Sequence, residues 1–81
     1  MKLPRDLSGD DLAGELSRLG YTITRQTGSH LRLTTDRNGE HHVTIPRHPA
    51  LRVGTLAAIL ADVAAHHKVT KSQLAEQLFR R

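Results

Sequence analysis

Gly28-Ser29-His30 sets an imidazole directly after a small, flexible pair of residues, between two runs with strand-like alternation. Histidine is the side chain whose unperturbed pKa lies nearest neutral pH, so it can take or give a proton there. Gly28 permits backbone that other residues cannot adopt. The N–H groups beside it can form a small concavity that binds an anion. These residue types suit acid–base chemistry next to a phosphate. A histidine at the start of a strand is commonly an ordinary surface residue. The Gly-Ser pair before it, the basic surroundings and its place on a polar face set His30 apart from that case.

Other residues of this kind are weaker candidates. Arg47 and His48 lie close in sequence to Gly54-Thr55, which opens a helical pattern just after Arg52. A helix N-terminus presents free N–H groups and suits a phosphate, so Thr55 joins Arg47 and His48 as a candidate phosphate contact. The chain has six histidines and no cysteine. His41 and His42 are neighbours on a strand and point to opposite faces, while His66-His67 are consecutive on a helix and are not expected to converge. No His-x-x-x-His pair is present, so neither a dedicated metal site nor a cofactor is expected. Tyr21 and Phe79 are the only aromatic residues. A platform that stacks bases on exposed aromatics is therefore excluded, and nucleic-acid contact would rest on charge, backbone amides and hydrogen bonds.

The elements that must position these groups follow from periodicity. Ser8 and the acids Asp10 and Asp11 mark a helix start, Leu12, Leu16 and Leu19 follow at helical spacing, and Gly20 ends the helix. The pattern predicts a helix over 9–19, strands over 21–26, 30–35 and 40–45, a helix over 53–66 and a helix over 71–79. A capping box at Thr70-Lys71-Ser72-Gln73 opens the last of these. Apolar residues must share one face of the sheet. That pairs Leu31 with Ile45 and Leu33 with Val43 around a three-residue Arg37-Asn38-Gly39 loop, and Ile23 with Leu33 and Arg25 with Leu31 around Thr27-Gly28-Ser29. The other face then carries His30, Arg32, Thr34, His42, Thr44, Thr22, Thr24 and Gln26. Segregated elements of this kind make an α+β two-layer sandwich.

Composition bounds the function. The 81 residues suit one domain spanning 1–81, and a chain of this size buries only about 60–65 % of its unfolded surface. No stretch reaches the roughly 20 apolar residues of a membrane span, and the start lacks the apolar run of a secretory signal. The net charge is +4. Between Thr22 and Thr55 the acids are only Asp36 and Glu40, against Arg25, Arg32, Arg37, Arg47 and Arg52. The middle of the chain is the basic part, which makes nucleic acid the first partner to consider.

Leu3-Pro4, Leu16…Leu19-Gly20-Tyr21, Arg25-Gln26-Thr27-Gly28-Ser29-His30, Val43-Thr44-Ile45-Pro46, Arg47-His48 and Gly54-Thr55-Leu56…Ile59-Leu60 occur in an order that resembles the HicA (YcfA-like) toxin family of type II toxin–antitoxin systems, to about Phe79. In many relatives a second histidine or another polar residue follows the motif; here it is Leu31. The resemblance implies an α-β-β-β-α fold like that of double-stranded-RNA-binding domains. It implies a small cytoplasmic ribonuclease that cleaves messenger RNA, with the family's catalytic histidine at His30. It implies a HicB-type antitoxin partner that covers the active site. On this reading the chain is a metal-independent endoribonuclease. His30 is the acid or base, Gly28 and Ser29 hold the phosphate, and Arg25, Arg32 and Arg47 supply positive charge. The alternatives are a non-catalytic RNA-binding module and a degenerate toxin that only binds its antitoxin.

Overall fold

A computed structural model describes residues 3–79 of the chain. Helix α1 spans Gly9–Leu16 and runs into a 3₁₀ turn over Ser17–Leu19. Strands β1 (Thr22–Gln26), β2 (His30–Thr35) and β3 (His41–Pro46) follow, then helices α2 (Val53–His66) and α3 (Lys71–Phe79). The strands form one antiparallel sheet in the order β1-β2-β3. The fold is α+β and consistent with a double-stranded-RNA-binding-domain-like arrangement, with helices on one face of the sheet.

Local chemistry sets the helix ends. The Ser8 hydroxyl accepts from the Asp11 N–H at 2.9 Å and the Asp11 carboxylate accepts from the Ser8 N–H at 3.3 Å, a reciprocal cap. Thr70 and Gln73 make the same exchange at α3, at 2.9 and 3.0 Å. Gly20 ends the first helical segment at φ 85°, where a side chain would be strained. The Arg18 guanidinium donates to the carbonyls of Gln77 and Leu78, at 2.6 and 2.8 Å. It thereby satisfies groups that α3 leaves open at its C-terminal end.

The core lies between the helices and the inner face of β2 and β3. Leu31 pairs with Ile45 and Leu33 with Val43, as the apolar alternation requires, and all four are buried beneath Leu12, Leu16, Leu56 and Leu60. The connection between β2 and β3 runs over 36–40, because Thr35 pairs with His41 and no pairing continues inward. It is longer than the three-residue loop expected, and both Asn38 (φ 61°) and Gly39 (φ 98°) take left-handed backbone to close it.

The β1–β2 register departs from expectation. Ile23 pairs with Leu33, but Arg25 pairs with Arg32 and Gln26 with Leu31, with a bulge between Ile23 and Arg25. One extra residue in β1 reverses the facing of everything after it. Arg25 therefore joins the polar face and Gln26 turns to the helix side, the opposite of the simple alternation. Every residue of β1 is exposed. The helix layer sits over β2 and β3 and leaves β1 overhanging.

Gly9 shows how closely the first helix meets the sheet. Its N–H donates to the His48 carbonyl at 3.0 Å, and a Cβ on it would collide with the Pro46 backbone carbonyl oxygen. Backbone cannot step aside as a side chain can, so Gly9→Ala is expected to cost about 1–3 kcal/mol as overpacking. Thermal unfolding should show a melting temperature lower by several degrees.

Candidate functional site

The turn that presents His30 is built by Thr27. The Thr27 hydroxyl accepts from the N–H groups of Ser29 and His30, at 3.3 and 3.0 Å, and the Thr27 N–H donates to the His30 carbonyl at 2.9 Å. This is a side chain standing in for backbone in a tight turn. Gly28 is not what closes it. The left-handed glycines among the described residues are Gly20 and Gly39, and a Cβ on Gly28 would meet open space.

His30 opens β2 opposite Pro46, exposed on the polar face. Its Nδ1 lies 2.9 Å from the Ser29 hydroxyl, and Nε2 has no partner among the described residues. Arg25, Thr27, His30, Arg32 and Thr44 together line an open cleft of about 260 Å³. That is below the roughly 300–1,000 Å³ of pockets that enclose a small molecule. It suits part of a polymer passing over the surface. Among the described residues Arg25 and Arg32 make no ion pair. Two uncommitted guanidinium groups beside an exposed imidazole give an arrangement able to hold a phosphate bidentately and move a proton next to it.

Arg47 is placed differently. Its fork meets both Asp10 carboxylate oxygens, at 3.2 and 3.3 Å, and it donates to the Thr27 carbonyl at 3.2 Å. Its N–H donates to the Ser29 carbonyl at 2.8 Å. Arg47 thus ties the first turn of α1 to the turn that carries His30, on the helix side of the sheet, with its charge matched by Asp10. His48 is exposed in the following loop and Thr55 is half-buried on the first turn of α2; neither lines the cleft. His42 sits at the other end of the polar face. Its Nδ1 meets the Thr34 hydroxyl and its Nε2 the Glu40 carboxylate, each at 2.8 Å. It lies four residue steps along β3 from Pro46, the partner of His30, about 13 Å at the usual rise, so the two rings cannot share one phosphate.

A family model described as the HicA toxin of bacterial toxin–antitoxin systems matches residues 9–64. The chain belongs to the HicA toxin family. No curated protein and no solved structure matches it. The match runs from α1 through most of α2 and includes the Gly28-Ser29-His30 turn; α3 lies beyond it. HicA proteins are toxins that cleave messenger RNA, so membership implies an RNA substrate and an antitoxin partner. No helix among the described residues is long and apolar enough to cross a membrane.

This HicA chain also carries a cluster that spacing alone did not reveal. His66 and His67 do converge, with His41, around the buried Tyr21. The turn at the end of α2 brings both rings over the sheet edge. His41 and His66 stack at 4.3 Å. His41 Nε2 donates to Asp62 at 3.2 Å, and Tyr21 donates to His41 Nδ1 at 2.7 Å. His67 Nε2 donates back to Tyr21 at 3.1 Å, and Asn38 donates to His67 Nδ1 at 3.2 Å. His66 Nε2 donates to the carbonyls of Arg37 and Gly39, both at 3.0 Å. With neutral rings this arrangement of hydrogens satisfies every contact. Among the described residues no group of three or more His, Cys, Asp or Glu side chains is placed to hold a metal ion.

Burial and the nearby Asp62 push the Tyr21 phenol up to about 12, so it stays neutral. Burial, then the nearby His66, His41 and Arg37, hold His67 below its ordinary value of 6.5. The unfolded chain therefore binds this proton more readily than the folded one. The contribution to stability is complete above pH 6.5 and is lost as the pH falls below it. The melting temperature should drop between about pH 7.5 and about pH 5.5, and His67→Gln should shrink that drop, as read by thermal unfolding at the two pH values.

Proposed function

We propose that the chain is a metal-independent endoribonuclease of the cytoplasm, with His30 as its acid–base group, restrained by a HicB-like antitoxin. The observation that carries this reading is the cleft in which an exposed imidazole stands among two uncommitted arginines. The ribose 2′-hydroxyl attacks the adjacent phosphorus. The 2′-O–P bond forms and the P–O5′ bond breaks, giving a 2′,3′-cyclic phosphate and a 5′-hydroxyl end. His30, through the Nε2 that has no protein partner among the described residues, takes the 2′ proton while water protonates the leaving 5′ oxygen, or protonates that oxygen while water takes the 2′ proton. The Ser29 hydroxyl on Nδ1 orients the ring. Arg25 and Arg32 hold the phosphate oxygens as negative charge builds on them.

A positioned acid–base group is worth about 10²–10⁴-fold. One such group suits a slow enzyme, and His42 lies too far along the sheet to serve as its second. The charge of Arg47 is matched within the fold, so we assign it the support of the His30 turn. His48 and Thr55 remain candidates for contact with more distant parts of the RNA.

His30→Ala should lower cleavage of a purified RNA by about 10²-fold or more, with melting temperature and RNA affinity retained. Wild-type cleavage should persist in EDTA. Cleavage by His30→Ala at the wild-type rate would overturn the assignment. Loss of wild-type activity in EDTA, with recovery on adding zinc or magnesium, would overturn metal independence. Binding without scission would favour the non-catalytic module. Gly28→Ala should leave the melting temperature unchanged, because its Cβ meets no protein atom. It should weaken RNA binding, because the methyl group would stand where backbone meets phosphate.

A further inference from the structure

Strand β1 is an edge with two unlike sides. No described group outside β2 bonds the backbone of Thr22–Gln26, so its outer row of N–H and C=O groups is open to another strand. On the polar side the bulge sets Arg25 beside Arg32 and His30. On the helix side Ile23 is 51 % exposed. There it overhangs a mostly apolar groove of about 580 Å³ whose floor is Ala13, Gly14 and Leu31. A Cβ on Gly14 would meet nothing within 4 Å, so the groove reaches down to the α1 backbone.

We infer that the β1 edge is a docking site for an extended protein segment in which acidic and apolar residues alternate. Successive side chains of a strand point to opposite faces. A segment added along β1 would place its apolar side chains over Ile23 and into the α1 groove. Its carboxylates would meet Arg25 and Arg32 on the other side. Backbone hydrogen bonds supply affinity, and the unlike sides of the edge select the sequence. The matching of charge identifies the occupant: the exposed cations of this edge have no carboxylate partner among the described residues. A second copy of the chain would bring Arg25 to the same strip as its own counterpart, and like charges across paired strands oppose pairing. The bulge limits indiscriminate pairing further. The inference rests on the proposed site in one respect. A carboxylate seated at Arg25 and Arg32 would occupy the place assigned to RNA phosphate, as an antitoxin segment must to silence the enzyme.

The test uses the full chain and two blocked, strand-length peptides, one alternating glutamate with valine and one alternating lysine with valine. Amide exchange and shifts are followed by NMR. The glutamate peptide should bind at least about tenfold more tightly than the lysine peptide and slow exchange within β1. Gly14→Phe fills the groove from an open position. It should weaken the glutamate peptide by about tenfold while leaving the remaining spectrum and RNA cleavage unchanged. Equal binding of the two peptides, protection elsewhere than β1, or full affinity in Gly14→Phe would overturn the proposal. So would protection of β1 that rises with protein concentration in the absence of peptide, which would assign the edge to a second copy. A chain that binds the peptide at β1 yet leaves RNA uncut would sink the nuclease reading and keep this one.

Discussion

In an unbroken ladder Arg25 would lie opposite Leu31 and point to the helix side, away from His30. The bulge between Ile23 and Arg25 cancels that alternation and brings Arg25 level with Arg32 on the polar face. One inserted residue thus turns a lone imidazole with a single neighbouring cation into a cleft with two. Two guanidinium groups without carboxylate partners repel one another and gain nothing for the fold. Their placement beside an exposed ring makes physical sense once an anion arrives between them, because charge-assisted hydrogen bonds to phosphate are among the stronger polar contacts.

The rest of the fold holds this cleft in place from behind. The Leu31–Ile45 and Leu33–Val43 pairs bury β2 and β3 under the helices, so the strand that begins at His30 cannot slip without exposing its whole apolar set. Arg47 then locks the turn, reaching from the end of β3 to the Thr27 carbonyl and to Asp10 at the start of α1. Gly9 lets that helix start come into contact with the Pro46 backbone. The Tyr21–His41–His67 network does the same work at the far end of the sheet, joining β3 to the end of α2.

Much of this was legible in the sequence. The alternation of Leu31 and Leu33 against Val43 and Ile45 implied both the antiparallel pairing and its buried face, and the helical leucine stripes implied the covering layer. Gly28-Ser29-His30 drew attention because an imidazole after a small turn is chemically distinctive. The bulge was not legible, since Thr24 and Arg25 carry no pattern that separates a bulged strand from a regular one. For the same reason Gln26 was expected on the wrong face. The role of Thr27 had a signal, a hydroxyl residue opening a tight turn, but glycine masked it. Arg47 looked like a phosphate ligand because its partner Asp10 is distant in the chain. The convergence of His41, His66 and His67 depends on how the α2 end docks against β3, which local periodicity does not encode.

If His30, Arg25 and Arg32 converge on one phosphate, titrating an uncleavable RNA dinucleotide, methylated at the 2′ oxygen, into the protein reveals it by NMR of the side-chain nitrogens. His30 Nε2 and the Nε groups of Arg25 and Arg32 should shift together along one saturation curve, while Arg47 and His42 stay still. Movement of Arg47 or His42 with His30 unmoved would place the phosphate elsewhere.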